Sequence, residues 1–241
     1  MFSDAKLHAM YQIANASFRD FPFPHIYVKD VFPPEFFERI RAQLPTNDQY
    51  MRLVDTGRVG MGYSKARLSL FPDKVAQGDL GDEQRNFWEG MFATFSGSEF
   101  CSLVWQKFRP HIEHRFAQSH PGGVTLNPKP EVFLMRDLET YSLGPHTDSP
   151  AKLVSMLFYL APDDRRPELG TAVYVPKERG FTCPGGPHHD RANFDHMMTL
   201  PYGRNVLVAF PKTLNCFHGV EVLTSADSQR DIFFFDLKSK S

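Results

Sequence analysis

The stretch YSLGPHTDSP, residues 141–150, leads into the apolar run LVSMLFYL, residues 153–160. It sets an imidazole, His146, and a carboxylate, Asp148, two positions apart. Along a strand, residues i and i+2 point to the same face. If this segment feeds a strand, the two polar groups converge on one point beside apolar neighbours. Polar groups buried there need a partner, because unpaired burial is costly. A metal ion is one such partner. A turn-stabilising pair, in a segment rich in Gly, Pro and Ser, is the alternative.

The apolar run belongs to a series that fills the second half of the chain: EVFLMRD (131–137), KLVSMLFYLA (152–161), GTAVYVP (170–176), NVLVAFP (205–211), FHGVEVL (217–223) and RDIFFFDL (230–237). Short runs rich in Val, Phe and Tyr, bounded by turn residues, predict strands. Strands this dense predict a sandwich or jelly-roll barrel. Only residues 177–201 break the rhythm, and a loop that long is expected to be a lid or binding loop. Before HPGGVTLNPKP (120–130) the pattern is mostly helical. FPHIYVKDVFP (23–33) reads as a short strand, and PPEFFERIRAQL (33–44) as a helix opened by proline. DEQRNFWEGMFATFSG (82–97) and SEFCSLVWQKFRPHIEHRFAQ (98–118) are two more, the second expected to kink near Pro110. The expectation is one α+β, mainly β domain over 1–241. Residues 1–125 would form a helical support with a short strand, and 126–241 the β core.

Composition narrows the function classes. A net charge of −1 over 241 residues gives no footprint for nucleic acid or an anionic membrane surface. The 23 phenylalanines fit thick sheet packing. Three separated cysteines, Cys101, Cys183 and Cys216, supply neither a disulfide framework nor a thiolate zinc site. The N-terminal residues lack a signal-like apolar core, and no run of about 18 apolar residues exists to span a bilayer. A reduced, cytoplasmic protein is expected.

Two further residues complete a constellation. His218 lies in the strand FHGVEVL, and Arg230 opens the last strand. If the turn-like LTSADSQ (223–229) joins these strands as a hairpin centred near Thr224, Arg230 falls roughly opposite His218. His146, Asp148 and His218 then make the two-His, one-carboxylate facial set of non-haem iron, with three coordination positions open. A 2-oxo acid can fill two of them and dioxygen the third. The far carboxylate of that acid needs a cation, and a guanidinium offers a bidentate one.

HTD, then FHGV, then an arginine twelve residues after the second histidine resembles the Fe(II)/2-oxoglutarate-dependent oxygenases, most closely the prolyl 4-hydroxylase-like branch. The opening FPFPHIYVKDVFPPEFFERIRAQLP (21–45) is similar to the N-terminal strand and helix of that branch. The resemblance implies a double-stranded β-helix of jelly-roll, cupin-like type. It implies His146, Asp148 and His218 as iron ligands, Arg230 as the 2-oxoglutarate clamp, and Tyr159 in LFYLAPDD as a hydrogen-bond donor to the same carboxylate. Ascorbate would support turnover. At the position where the branch often has a tyrosine this chain has Arg136, which could bind co-substrate or an anionic substrate. Tyr141 and Asn215 are candidates for the substrate pocket. Related halogenases replace the carboxylate with a small residue, so Asp148 favours hydroxylation, with succinate and CO2 released.

The substrate, a small molecule or a side chain, is not named by the sequence. His111 and His114 read as a solvated helix face. His188, His189, Asp190 and His196 read as loop residues near the mouth. The alternative function is a non-catalytic cupin-like module that binds a metal or small ligand. A metal-dependent isomerase on a similar barrel is a third reading.

Overall fold

A computed structural model gives the fold and describes residues 1–75, 80–119, 123–226 and 228–239. Asp227 of LTSADSQ and residues 120–122 of HPGGVTLNPKP lie outside the described residues. Five helices come first: α1 (Phe2–Asn15), α2 (Pro34–Ala42), α3 (Pro72–Val75), α4 (Asp82–Phe95) and α5 (Ser98–Ser119). Interleaved with them are β1 (Ile26–Lys29), β2 (Met51–Arg52) and β3 (Arg67–Leu70). Then follow β4 (Pro128–Leu138), β5 (Leu143–His146), β6 (Lys152–Leu160), β7 (Thr171–Pro176), β8 (Phe194–Leu200), β9 (Arg204–Pro211), β10 (His218–Val220) and β11 (Gln229–Ser239).

The strands form two antiparallel sheets. The large one has the order β1-β9-β6-β11-β4-β3-β2, and the small one β5-β10-β7-β8. The first 125 residues therefore supply three strands of the large sheet as well as helices. The long segment 177–201 is not all loop, because it contains β8, which pairs with β7 before it. α5 runs through Pro110 as one helix.

Alternation explains why the β runs are so continuously apolar. On β6, Val154, Met156, Phe158 and Leu160 face one buried cluster while Leu157 and Tyr159 face another. A strand buried on both faces has no polar side to show. The first cluster is shared with the helices, where Phe100, Val104, Phe108 and Ile112 repeat every four residues along α5. The second joins Phe133, Val208 and Ile232 of the large sheet to Val173, Leu200 and Val220 of the small one. The core is therefore two layers thick, one on each side of the large sheet.

Phenylalanines bind the helical layer to this sheet. Phe233 packs against Phe95, Phe158 and Phe92 with ring centroids 5.6, 5.5 and 6.1 Å away. Phe233→Ala empties the centre of that cluster and is expected to cost about 3–5 kcal/mol, read from the denaturant midpoint.

Candidate metal centre

His146 ends β5 and His218 begins β10, and the two are paired directly across the small sheet. Their ring centroids lie 4.4 Å apart. The close approach depends on Gly219, where a Cβ would collide with the carbonyls of Leu143 and Gly144. Asp148 lies in the connection that carries the chain from β5 to β6, so it is not itself on a strand. That connection is pinned at both ends. Thr147 Oγ1 donates to Cys183 O at 3.0 Å, and Arg115 from α5 donates to the carbonyls of Pro150 and Lys152 at 2.5 and 2.7 Å.

One ligand atom each from His146, Asp148 and His218 can be chosen so that all lie within 4.8 Å of one another. Both imidazoles are fixed in one tautomer. His146 Nδ1 lies 3.0 Å from Gly144 O and His218 Nδ1 lies 2.8 Å from Cys216 O. A carbonyl can only accept, so each Nδ1 carries the proton and each Nε2 offers a lone pair. Burial, then the neighbouring His218, pushes the His146 pKa down to about 3, and burial lowers that of His218. Burial alone would raise Asp148, but the Lys152 ammonium, helped by the Ser155 hydroxyl, outweighs it and holds the carboxyl below its ordinary range. Neutral imidazoles and an ionised carboxylate are the protonation states a metal requires. Two nitrogens and one oxygen on one side of a pocket suit non-haem Fe(II).

Residues around the ligands fix Asp148. Ser155 Oγ donates to its Oδ2 at 2.7 Å, and Lys152 Nζ lies 3.1 Å from Oδ1. The same ammonium lies 2.9 Å from buried Asp236, whose Oδ1 has no partner. Burial raises the Asp236 carboxyl, and Lys152 opposes the shift.

Arg230 lines the same pocket, but not by the expected route. β10 and β11 are not paired. β10 sits between β5 and β7 in the small sheet, and β11 between β4 and β6 in the large one. Arg230 therefore approaches His218 from the facing sheet. Its guanidinium donates to Asp137 Oδ2 at 2.8 Å and to Thr171 Oγ1 at 3.3 Å, and its buried Nε has no partner among the described residues. Tyr159 is fully buried behind it. Its hydroxyl accepts from Thr171 N at 3.0 Å and shares a 2.6 Å hydrogen bond with Thr171 Oγ1. Both contacts tie it to Thr171, and Thr171 is the residue that borders the pocket.

The other candidate residues, Arg136, Asn215 and Tyr141, lie apart from the ligand cluster. Arg136 points to the helical side of the sheet, where it meets Asp231 at 2.6 Å and Asn47 at 2.8 Å; it does not reach the pocket. Asn215 is exposed in a separate cavity beside His111 and His114. Tyr141 is buried outside the pocket, under the Arg67 guanidinium at 4.1 Å and hydrogen-bonded to Tyr63 at 3.0 Å. Of the loop histidines, His188 comes beside His146, with centroids 4.9 Å apart. His189 packs among Phe181, Phe194 and Phe217, and His196 lies against Tyr174. Asp190 accepts from Ala192 N at the start of a short 3-10 helix.

Residues that the sequence did not single out also surround the pocket: Arg67, Lys152, Ser155 and Thr171 line it, with Asp137 and Asp236 behind. Their one signal was a charged or hydroxyl group at an alternate position of an apolar strand. The pocket is small, about 80 Å³. A larger cavity of about 520 Å³, bordered by Arg41, Arg166 and Asp231, has no metal-ligand set among the described residues and is not where the chemistry converges.

Neither a family model nor a curated protein sequence matches the chain. Solved structures do. A prolyl-4-hydroxylase from Pseudomonas putida superimposes with a TM-score of 0.53 at 11% identity, covering 97% of this chain and 98% of that one. The epimerase SnoN, solved with Fe3+, alpha-ketoglutarate and nogalamycin RO, gives 0.51 at 10% identity over 97% and 83%. A prolyl 4-hydroxylase from Phytophthora capsici gives 0.50 at 13% over 99% and 65%. The chain has the fold of the 2OG-Fe(II) oxygenases. Within this fold the His146, Asp148 and His218 cluster is the one group of three or more His, Cys, Asp or Glu found among the described residues that could hold a metal ion.

The His146, Asp148 and His218 cluster is expected to take up one equivalent of Fe(II), Mn(II) or Co(II) per chain, measured by metal analysis after anaerobic dialysis. His218→Ala should lose uptake, and Gly219→Val should weaken it severalfold by forcing β5 and β10 apart.

Proposed function

We propose that the protein is a non-haem Fe(II)- and 2-oxoglutarate-dependent dioxygenase that hydroxylates a C–H bond of a small molecule or side chain, releasing succinate and CO2. The observation that carries this reading is the meeting of two unlike polar sites in one pocket. The three-ligand cluster comes from the small sheet and its exit turn. The guanidinium with an unsatisfied Nε comes from the large sheet. A dicarboxylic 2-oxo acid has two ends that match them.

His146, Asp148 and His218 would hold iron from one side and leave the other side for co-substrate. When bound, the ion and dioxygen supply the oxidising chemistry for which the protein has no side chain. Arg230 would receive the distal carboxylate, with the Thr171 hydroxyl, anchored by Tyr159, beside it. Leu157, Phe210, Val220 and Phe234 give the pocket apolar walls that keep water from the reacting atoms. His188, exposed beside His146, marks the mouth through which substrate would reach the ion. Ascorbate would keep the iron reduced.

The architecture we infer is a double-stranded β-helix of jelly-roll type, with the helical layer packed on the large sheet and residues 1–241 as one domain. The buried clusters that join both sheets and both halves of the chain support it. The three free cysteines fit a reduced, cytoplasmic setting. Among the described residues no helix is long and apolar enough to cross a membrane.

Succinate formation from 2-oxoglutarate with Fe(II), ascorbate and oxygen tests the reading. Turnover should be measurable in the wild type, with or without added substrate, and lost in His146→Ala and His218→Ala. Arg230→Met should raise the 2-oxoglutarate requirement about tenfold or more while Fe(II) uptake persists. Equal turnover in all four proteins removes the proposal.

A further inference from the structure

Three strands of the large sheet place three charges side by side. Arg67 on β3 stands directly opposite Asp137 on β4, and Asp137 stands directly opposite Arg230 on β11. All three are buried: Arg67 is 7% exposed, Asp137 0% and Arg230 1%. Arg67 grips Asp137 with two bonds, Nε to Oδ1 at 2.5 Å and Nη2 to Oδ2 at 2.8 Å, while Arg230 Nη1 reaches the same Oδ2 at 2.8 Å.

One carboxylate between two guanidiniums leaves one positive charge uncompensated and out of water, which costs free energy unless an anion joins it. Two donors have no good partner of their own. Among the described residues Arg230 Nε has none, and Arg67 Nη1 hydrogen-bonds only the Tyr63 hydroxyl, at 3.4 Å. At the other end of the pocket Lys152 stands between the carboxylates Asp148 and Asp236, and the buried Lys212 also acts on Asp148. The uncompensated charge is therefore the one at the arginines, and the distal carboxylate of a 2-oxo diacid can cancel it.

We infer that the receptor for the distal carboxylate of the co-substrate is the net charge of the Arg67–Asp137–Arg230 ladder, so that Arg67 is a second co-substrate-binding residue. This rests on the proposed function. It adds that the N-terminal half supplies part of the pocket's chemistry, and that affinity for a dicarboxylic oxo acid follows the ladder's charge rather than Arg230 alone.

The test is calorimetric binding of 2-oxoglutarate to Mn(II)-loaded protein without oxygen. Arg67→Met makes the ladder neutral and should weaken binding on the order of 10- to 100-fold. The double variant Arg67→Met/Asp137→Asn restores one net positive charge and should return to within roughly threefold of wild type. A purely structural ladder predicts the reverse, with the double variant at least as impaired. Binding of 2-oxobutyrate, which has no distal carboxylate, should be alike in all of them.

Unchanged affinity in Arg67→Met, or no recovery in the double variant, overturns the inference. Should Arg67→Met fail to fold, Arg67→Lys and the double variant still decide, because both carry the wild-type charge and weak binding by either is fatal. Wild-type protein that takes up Mn(II) but no 2-oxoglutarate would instead remove the proposed function itself.

Discussion

The pairing of β5 with β10 sets His146 across from His218 at a spacing only a glycine neighbour permits. Everything chemical in the pocket is arranged around that contact. Two imidazoles with centroids 4.4 Å apart would repel if both were protonated, and burial keeps them neutral. Their Nδ1 protons are committed to carbonyls two residues back in each case, so both lone pairs are free for an ion. Asp148 joins them because the chain must cross here from the small sheet to the large one. Arg115 ties that crossing to the helical layer.

Between the sheets the protein breaks the usual rule of an apolar sandwich interior. Six ionisable side chains beyond the histidines enclose or back the pocket: Arg67, Asp137 and Arg230 toward one end, Lys152, Asp148 and Asp236 toward the other. Buried ion pairs rarely add stability over well-packed hydrophobic residues of the same volume. Their concentration at one place is therefore better understood as serving a ligand than as serving the fold. Conflicts between local rules and structure gather at functional sites for this reason.

What the sequence disclosed follows the same physics. The six apolar runs of the second half were legible as strands because burial on both faces made them continuous. β8 was not, since it is an edge strand whose Asp195, His196 and Met197 are exposed. The spacing of His146 and Asp148 was visible because it is local. The partnership of β10 and β11 was misread because LTSADSQ has the look of a hairpin turn, yet it joins strands of different sheets. Arg136 and Asp137 show how fine the distinction is, for adjacent residues on one strand point to opposite faces. Arg136 meets Asp231 under the helices, and Asp137 meets Arg230 in the pocket. Arg67 was invisible because nothing local marks it, and its partner is 70 residues away.

The place of Arg67 on β3 bears on how the gene can be divided. Hydropathy alone would invite a cut before β4, leaving a fragment with every metal ligand and the arginine of the last strand. Such a fragment would keep Asp137 and Arg230 as an even pair, and would uncover the strand edge that β3 now protects. The unit that evolution can transplant or an engineer can shorten is therefore longer than the segment that looks like a β domain.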